Sequence, residues 1–152
     1  MQTHGEFIMT LDEIRKELER DTKIDPTALD LESLKIPQLH SKYLNFLLDE
    51  KLVFSKCHSD SLIIERCRWE YYTGKMSKEE LAEKGWEPFD LKILRQDIPL
   101  YLDSDPEVIQ ARQKVTYQKE KMAILEEIIK ELNNRHWKIR CAIDWKKFVS
   151  GQ

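Results

Sequence analysis

A short segment of the sequence combines cations with aromatic rings in a pattern that suits single-stranded nucleic acid. It reads Arg-Cys-Arg-Trp-Glu-Tyr-Tyr-Thr-Gly over residues 66–74, and a lysine follows it. Guanidinium groups pair with phosphate oxygens, and aromatic faces stack on unpaired bases. The same pattern is typical of a helix end whose rings pack in the core while the arginine heads reach water. The candidate DNA contacts are Arg66, Arg68, Trp69, Tyr71, Tyr72 and Lys75.

No motif for catalysis or nucleotide binding accompanies this segment. The sequence has no GxxxxGK loop, GxGxxG turn, GxSxG nucleophile or HExxH helix. Three cysteines without CxxC spacing do not indicate a disulfide or zinc framework and favour reduced thiols, and Cys57-His58 has no second ligand pair nearby. We therefore expect a protein that is not an enzyme and that needs neither a metal nor a cofactor.

The distribution of charge bears on nucleic-acid binding more than the total does. The 152 residues carry a net charge of −3, which by itself argues against a polyanionic ligand. However, residues 51–75 carry five basic and three acidic groups, and residues 133–152 carry five and one. A polyanion responds to the local field, so these two stretches are candidate contacts. Solvated basic faces without a ligand have the same composition.

The sequence contains no pattern typical of a signal peptide or of a membrane-spanning helix. The N-terminus lacks a basic start followed by an apolar run, and no apolar stretch approaches the roughly 18 residues of a membrane span. We expect the protein to remain in the compartment where it is made.

Two long helices are expected to position the candidate contacts. Between Pro37 and Thr73 there is no glycine or proline, and Gly74 is well placed to end the helix. Asp105-Pro106 begins the second long helix, with Asp105 as its N-cap. Such length in a small chain implies packing against other helices or other subunits.

Shorter helices precede and separate these two. Thr10 with Glu13 and Ser77 with Glu80 are capping boxes, and Asp25-Pro26 predicts a brief helix that ends near residue 35. We predict an all-α, mainly helical protein in four regions. These are a flexible tail (1–10), an N-terminal helical region (11–85), an irregular connector (86–105) and a C-terminal helical region with a basic end (106–152).

The last helix carries an unusually regular apolar stripe. Its steps alternate between three and four residues, as the a and d positions of a coiled coil do. The stripe can face the core of its own chain or form a seam with other subunits. Its members are Val108, Ala111, Val115, Gln118, Met122, Leu125, Ile129 and Leu132.

Several short motifs, taken in order, resemble the UvsY family of phage recombination mediators. The segment at 66–74 is similar to the family's basic-aromatic segment. Leu11-Asp12-Glu13-Ile14 through Lys23-Ile24-Asp25 resembles its opening helix and turn. Ser41-Lys42-Tyr43-Leu44-Asn45 resembles an element early in its long helix. The resemblance spans roughly residues 11–151, and its specificity comes from the order and spacing of the motifs.

The resemblance implies a function in homologous recombination, repair and recombination-dependent replication. Members of the family bind single-stranded DNA as hexameric or heptameric rings. They weaken the hold of single-strand-binding protein and help a RecA-like recombinase of the UvsX type to load. Such a protein acts in the cytoplasm of the phage-infected bacterial host.

By motif match, Arg66 and Arg68 acquire the DNA-contact role, so region 11–85 is expected to bind DNA. The C-terminal region is expected to mediate assembly, with the stripe residues Val108, Val115, Met122, Leu125, Ile129 and Leu132 as its candidates. Residues two apart on an ideal helix point about 200° apart. We therefore predict that one arginine contacts phosphate while the other braces the subunit interface.

Two alternatives remain open from the sequence. A structural coiled-coil or adaptor protein would use its arginines only to cover an aromatic helix end. A nuclease would use some of the carboxylates to bind a divalent metal and degrade DNA.

Overall fold

The structure, a computed structural model, describes residues 9–151, and this part of the chain contains helices, turns and coil only. The predicted all-α class is confirmed. None of the helices in this range is both long and apolar enough to cross a membrane. They are α1 (Leu11–Asp21), α2 (Leu29–Leu34), α3 (Ile36–Tyr72), α4 (Lys78–Lys84), α5 (Ile98–Asp103) and α6 (Pro106–Ser150), with a 3-10 turn (Arg95–Asp97) before α5.

The two predicted capping boxes begin α1 and α4. The backbone N–H of Glu13 donates to Thr10 Oγ1 at 3.2 Å, and that of Thr10 donates to the Glu13 carboxylate at 2.7 Å. In the second box, the N–H of Glu80 donates to Ser77 Oγ at 3.2 Å, and the N–H of Ser77 donates to the Glu80 carboxylate at 2.8 Å. Each box satisfies N–H groups that the first helical turn leaves without intrahelical partners.

Both long helices form as predicted. The helix α3 begins at Ile36, so Pro37 lies in its first turn, where a missing N–H costs nothing. The helix α6 runs through Asn133 and Asn134 without a break and ends at Ser150. The sequence alone left open whether the helix continues past Asn134.

The predicted start of the second helix was wrong. Asp25 Oδ1 accepts hydrogen bonds from the backbone N–H and the hydroxyl of Thr27, at 2.8 and 2.6 Å. These bonds close a local turn that competes with helix formation. The non-helical backbone of Ala28 then delays the start of α2 to Leu29. The segment 86–105 also contains α5, which the sequence pattern did not indicate.

The chain divides into two compact units, and the divisions fall inside α3 and α6. Of the described residues, unit 1 comprises those up to Val53 together with those from Glu120 onward. Unit 2 comprises Phe54–Lys119, which contains the end of α3, all of α4 and α5, and the start of α6. The basic-aromatic segment therefore lies entirely in unit 2.

The core of unit 1 is formed by α1, α3 and α6. Its buried members are Ile14, Tyr43, Leu47, Leu125, Ile128 and Leu132. Beside them, the ammonium of Lys121 lies 2.8 Å from the carboxylate of Glu50, and both side chains are buried. Separating such a pair would leave a buried charge, so the pair favours one register of α6 against α3.

Unit 2 contains a cluster of half-buried aromatic rings. Five rings contact one another with centroid separations of 5.1 to 5.9 Å: Tyr71, Tyr72, Trp86, Phe89 and Tyr101. At its edge, Arg112 pairs with Glu65 at 2.8 Å and with Asp103 at 2.7 Å. These contacts connect the start of α6 with α3 and with the end of α5.

Candidate nucleic-acid interface

The end of α3 shapes the candidate DNA contacts. Gly74 adopts a left-handed backbone (φ 68°), and its N–H donates to the Tyr71 carbonyl at 3.2 Å. The N–H of Lys75 donates to the Glu70 carbonyl at 2.9 Å, which completes a Schellman motif. This reversal brings Lys75 back along the helix, and its ammonium lies 4.0 Å from the ring centroid of Trp69.

Arg66 lies on the same face of α3 as Trp69, because residues three apart are neighbours on a helix surface. Its side chain is 79% exposed and pairs with the Glu70 carboxylate one turn later, at 2.9 Å. We call Arg66, Trp69 and Lys75 the basic-aromatic patch. It combines two accessible cations with a partly exposed ring.

Arg68 points to the interior of unit 2, and its side chain is 14% exposed. Its Nε donates to the Asp105 carboxylate at 2.6 Å, and its guanidinium carbon lies 4.4 Å from the Trp86 centroid and 4.8 Å from that of Tyr71. The two arginines of the motif thus face different surroundings, as the helix geometry predicted. This geometry favours an internal role for Arg68, and its contact with DNA stays a prediction.

Tyr71 and Tyr72 belong to the aromatic cluster of unit 2. The hydroxyl of Tyr71 donates to the Glu87 carbonyl at 3.1 Å, and that of Tyr72 donates to the Asp105 carboxylate at 2.7 Å. Burial, followed by the hydrogen bond to Asp105, raises the pKa of Tyr72 above its ordinary value. Of the predicted stacking residues, Trp69 alone lies outside this cluster, so the patch and the tyrosines form separate groups.

Asp105 is a residue whose full importance the sequence did not reveal. Its Oδ1 accepts from the backbone N–H groups of Glu107 and Val108, as predicted for an N-cap. Its Oδ2 accepts from Arg68 and Tyr72. Burial alone would raise the pKa of Asp105, but these hydrogen bonds outweigh it and hold the pKa below its ordinary value. The helix-start signal identified the cap, but nothing in the local sequence indicated the second set of partners.

The stripe predicted as an assembly seam packs within the chain. Leu125 and Leu132 belong to the core of unit 1, and Met122 and Ile129 lie partly buried against it. In unit 2, Val108 is fully buried and Val115 is partly buried. These side chains therefore follow the intrachain alternative in this structure, and their role in assembly stays a prediction.

A second apolar stripe lies near the C-terminal end of α6 and was missed from the sequence. Trp137, Cys141, Trp145 and Phe148 follow one another at steps of four, four and three, and all are exposed. Because Trp137 is two residues from the buried Ile139, this outer stripe points away from the core of unit 1. The rings of Trp145 and Phe148 stack with centroids 5.7 Å apart. The sequence shows the spacing of these four residues, but it continues directly from the regular stripe between Val108 and Leu132 and does not indicate a second face.

Part of the C-terminal positive charge is used inside unit 1. Arg135 is buried and donates to the carbonyls of Asp21 and Lys23, at 2.8 and 3.2 Å, and to the Glu32 carboxylate at 3.1 Å. The ammonium of Lys146 donates to the carbonyl of Pro26. The basic composition of residues 133–152 therefore overstates the charge that a strand could meet there.

The described residues show no arrangement typical of a metal centre. Within 9–151, no three His, Cys, Asp or Glu side chains come close enough together to hold an ion. His58, which follows Cys57, stacks on Phe54 with a centroid separation of 6.0 Å.

Comparison with known proteins identifies the family. A family model described as "Recombination, repair and ssDNA binding protein UvsY" matches residues 17–152. The recombination protein uvsY of Enterobacteria phage T4 is 22% identical over 144 residues, which cover 95% of this chain and 100% of that protein. Two crystal structures of the phage T4 recombination mediator protein UvsY superpose with TM-scores of 0.78 and 0.77, each at 21% identity. They cover 93% and 92% of this chain and 98% of theirs, so the fold is shared along nearly the whole length. The chain belongs to the UvsY family of recombination, repair and single-stranded-DNA-binding proteins.

Proposed function

We propose that this protein is a recombination mediator that works as a homo-oligomer, a hexamer or heptamer, in the cytoplasm of the infected host. It binds single-stranded DNA, weakens the hold of single-strand-binding protein and promotes the loading of a RecA-like recombinase of the UvsX type. The observation that carries the proposal is the accessible basic-aromatic patch in a chain of this family. The phage T4 relative is itself described as a recombination mediator.

In the patch, Arg66 pairs with phosphate, and Trp69 stacks on a base after the Lys75 ammonium moves off the ring face. Lys75 is close enough to the ring to contact the phosphate of a stacked nucleotide. The exposed guanidinium of Arg66 must exchange its pairing with Glu70 for a phosphate, and an exposed ion pair of this kind contributes little to stability. Arg68, Tyr71 and Tyr72 support the patch from inside unit 2.

Assembly brings several patches to one strand. We assign the contact between copies to the outer stripe, because exposed tryptophan and phenylalanine side chains in a row are typical of protein interfaces. A second copy of the same helix offers matching rings. The assembled particle then bends the strand across successive patches, and this bending loosens single-strand-binding protein from the DNA. No covalent bond is made or broken in this mechanism.

Multivalent binding also explains how a chain with a net charge of −3 holds DNA. On a single strand, each neutralised phosphate contributes about −0.7 to the slope of log K against log salt. A lone subunit touching about two phosphates gives a slope near −1.4, whereas an assembly engaging about six gives roughly −4. Once one patch is bound, the others bind at a high effective concentration.

The test is a salt titration of fluorescent single-stranded oligonucleotide binding by the intact protein. We expect a steep slope, which Arg66→Ala should reduce by about 0.7 for each phosphate that the variant no longer neutralises. The matched control is Arg15→Ala, since Arg15 is also exposed and also pairs with a carboxylate on its own helix, that of Asp12. If the wild type does not bind the oligonucleotide at low salt, the proposal is contradicted and an adaptor protein is favoured. The same holds if Arg66→Ala binds as tightly as the wild type. DNA cleaved during long incubation with magnesium or manganese would instead favour a nuclease.

Assembly is tested by crosslinking at Cys141, which is exposed and lies within the outer stripe. A short bis-maleimide should join subunits of the native particle, and Cys141→Ser should abolish the product. Cys57 and Cys67 are half-buried and serve as internal controls. If crosslinking yields single subunits only, or persists in Cys141→Ser, the outer stripe is not the contact.

A further inference from the structure

One buried carboxylate joins the end of α3 to the start of α6. The Asp105 side chain has no exposure to solvent and accepts four hydrogen bonds. Oδ1 accepts the backbone N–H groups of Glu107 and Val108 at 2.9 and 3.2 Å, and Oδ2 accepts Arg68 Nε at 2.6 Å and the Tyr72 hydroxyl at 2.7 Å. The group that caps α6 is therefore also the anchor of the last turns of α3.

We propose that Asp105 is a positioning residue for DNA binding, and that Arg68 serves this anchor instead of contacting phosphate. The proposal rests on the function proposed above and names a determinant of the same site. Asp105 holds Arg68 and Tyr72, and these fix the helical turns that carry the basic-aromatic patch.

The surroundings of Arg68 explain why a phosphate does not reach it. Its guanidinium lies against the rings of Trp86 and Tyr71 and is hydrogen-bonded to a carboxylate that has no contact with water. A phosphate would have to displace that carboxylate and leave it buried without its cation, which is strongly unfavourable. Arg66, two residues earlier, carries its charge in solvent and needs no such exchange.

Its place in the chain makes Arg68 a suitable anchor for the patch. It lies between Arg66 and Trp69 on α3, and Tyr72 follows Trp69 by three residues. The helix ends immediately after Tyr72, so its last turn has no further helical residues to stabilise it. The two bonds to Asp105 Oδ2 link this turn to the start of α6.

Removing the charge of Asp105 should change DNA affinity in the direction opposite to that expected for an acidic residue near a DNA site. Removing an acidic side chain near a DNA site normally strengthens binding, because it lowers the repulsion of phosphate. Removing the charge of Asp105 should instead weaken binding, because the patch loses its fixed orientation. If Asp105 merely kept Arg68 away from DNA, the same substitution would strengthen binding.

The experiment compares Asp105→Asn with Asp103→Asn in the full-length protein by fluorescence anisotropy on single-stranded oligonucleotide. Asparagine is also a good N-cap, so Asp105→Asn keeps the start of α6. Asp103 is exposed and pairs with Arg112, which makes its substitution the same change of charge two residues away. We expect Asp105→Asn to raise Kd at least about fivefold, near the lower end of the contribution of one base-stacking contact. Asp103→Asn should leave Kd unchanged or lower it.

Measurements are made at a temperature where circular dichroism shows every variant to be fully folded. There, a residue that contributes only to stability leaves Kd unchanged. Tyr72→Phe, which removes one hydroxyl and keeps the ring, provides a milder variant and should also raise Kd. A double variant of Arg68→Ala and Asp105→Asn should bind no more weakly than the weaker single variant, because both changes break one contact.

Three results would overturn the proposal: an unchanged or lower Kd for Asp105→Asn, an unchanged Kd for Tyr72→Phe, or additive losses in the double variant. If the wild type binds DNA and Arg66→Ala weakens binding while Asp105→Asn does not, the positioning role alone fails. If the wild type shows no salt-dependent binding, the proposed function itself fails.

Discussion

The two apolar stripes of α6 should respond in opposite ways to truncation to alanine. Leu125 represents the apolar stripe from Val108 to Leu132, here called the inner stripe, and is completely buried in the core of unit 1. Trp145 represents the outer stripe, and its side chain is 64% exposed within the chain. We predict that Leu125→Ala destabilises each subunit and leaves the number of subunits in the particle unchanged. Trp145→Ala should leave the stability of the subunit unchanged and break up the particle.

The expected magnitudes follow from these environments. Truncating a fully buried leucine costs about 2–5 kcal/mol, out of a typical domain stability of about 5–15 kcal/mol. Leu125→Ala should therefore remain folded at 25 °C with a clearly lower urea midpoint. An exposed side chain contributes within about 0.5 kcal/mol to the subunit itself. If Trp145 is an interface hot spot, its loss costs about 2 kcal/mol or more at each contact, roughly a thirtyfold weakening.

The assay pairs native mass spectrometry with urea unfolding followed by circular dichroism. Leu91→Ala is the control, because Leu91 is equally exposed at 64% but lies in the irregular segment before α5. The Trp145→Ala particle should dissociate at concentrations where the wild-type particle stays assembled, while the helical signal persists. Dissociation of Leu125→Ala with an unchanged urea midpoint would restore the inner stripe as the seam. An intact Trp145→Ala particle would exclude the outer stripe.

Three further predictions concern unit 2. Arg68→Ala should lower the unfolding free energy by about 3 kcal/mol in urea titration, because it leaves the Asp105 carboxylate buried without its cation, whereas Arg66→Ala should leave the urea midpoint unchanged. The lowered pKa of Asp105 contributes stability that is present above its ordinary value of 3.8 and is lost as the pH falls through the lower folded value. Asp105→Asn should therefore show a shallower loss of stability than the wild type as the pH falls below about 4, and an equal slope would contradict this. Gly74→Ala should cost about 1–2 kcal/mol through its left-handed backbone alone, since an added Cβ meets no atom within 4 Å, and an unchanged melting temperature would refute the argument.

Local signals in the sequence located most helix boundaries. The capping boxes at Thr10 and Ser77, the glycine after Thr73 and the Asp105-Pro106 start were all confirmed, because each depends on bonds within a few residues. Asp25-Pro26 was misleading for the same reason. The Asp25 carboxylate accepts hydrogen bonds from Thr27 and closes a turn, and such a turn is as local an arrangement as a helix N-cap.

The sequence also indicated which residues share a helix face, but not what each face meets. The alternation of three and four in α6 fits an intrachain core and an intersubunit seam equally well. Only the packing of α1 and α3 places Leu125 and Leu132 in the core of unit 1. Once that face is covered, the row from Trp137 to Phe148 is left exposed on the other side.

The roles of charged groups depended on tertiary structure most of all. Arg66 and Arg68 belong to one motif, and helix geometry predicts that they face apart. Which of them meets solvent is decided by a carboxylate 37 residues away, Asp105, and by the ring of Trp86. Likewise, Arg135 counts as a basic tail residue in the sequence but is buried against carbonyls more than 100 residues earlier. Side-chain charge is a property of residue type, whereas its availability to DNA depends on long-range contacts that no local pattern encodes.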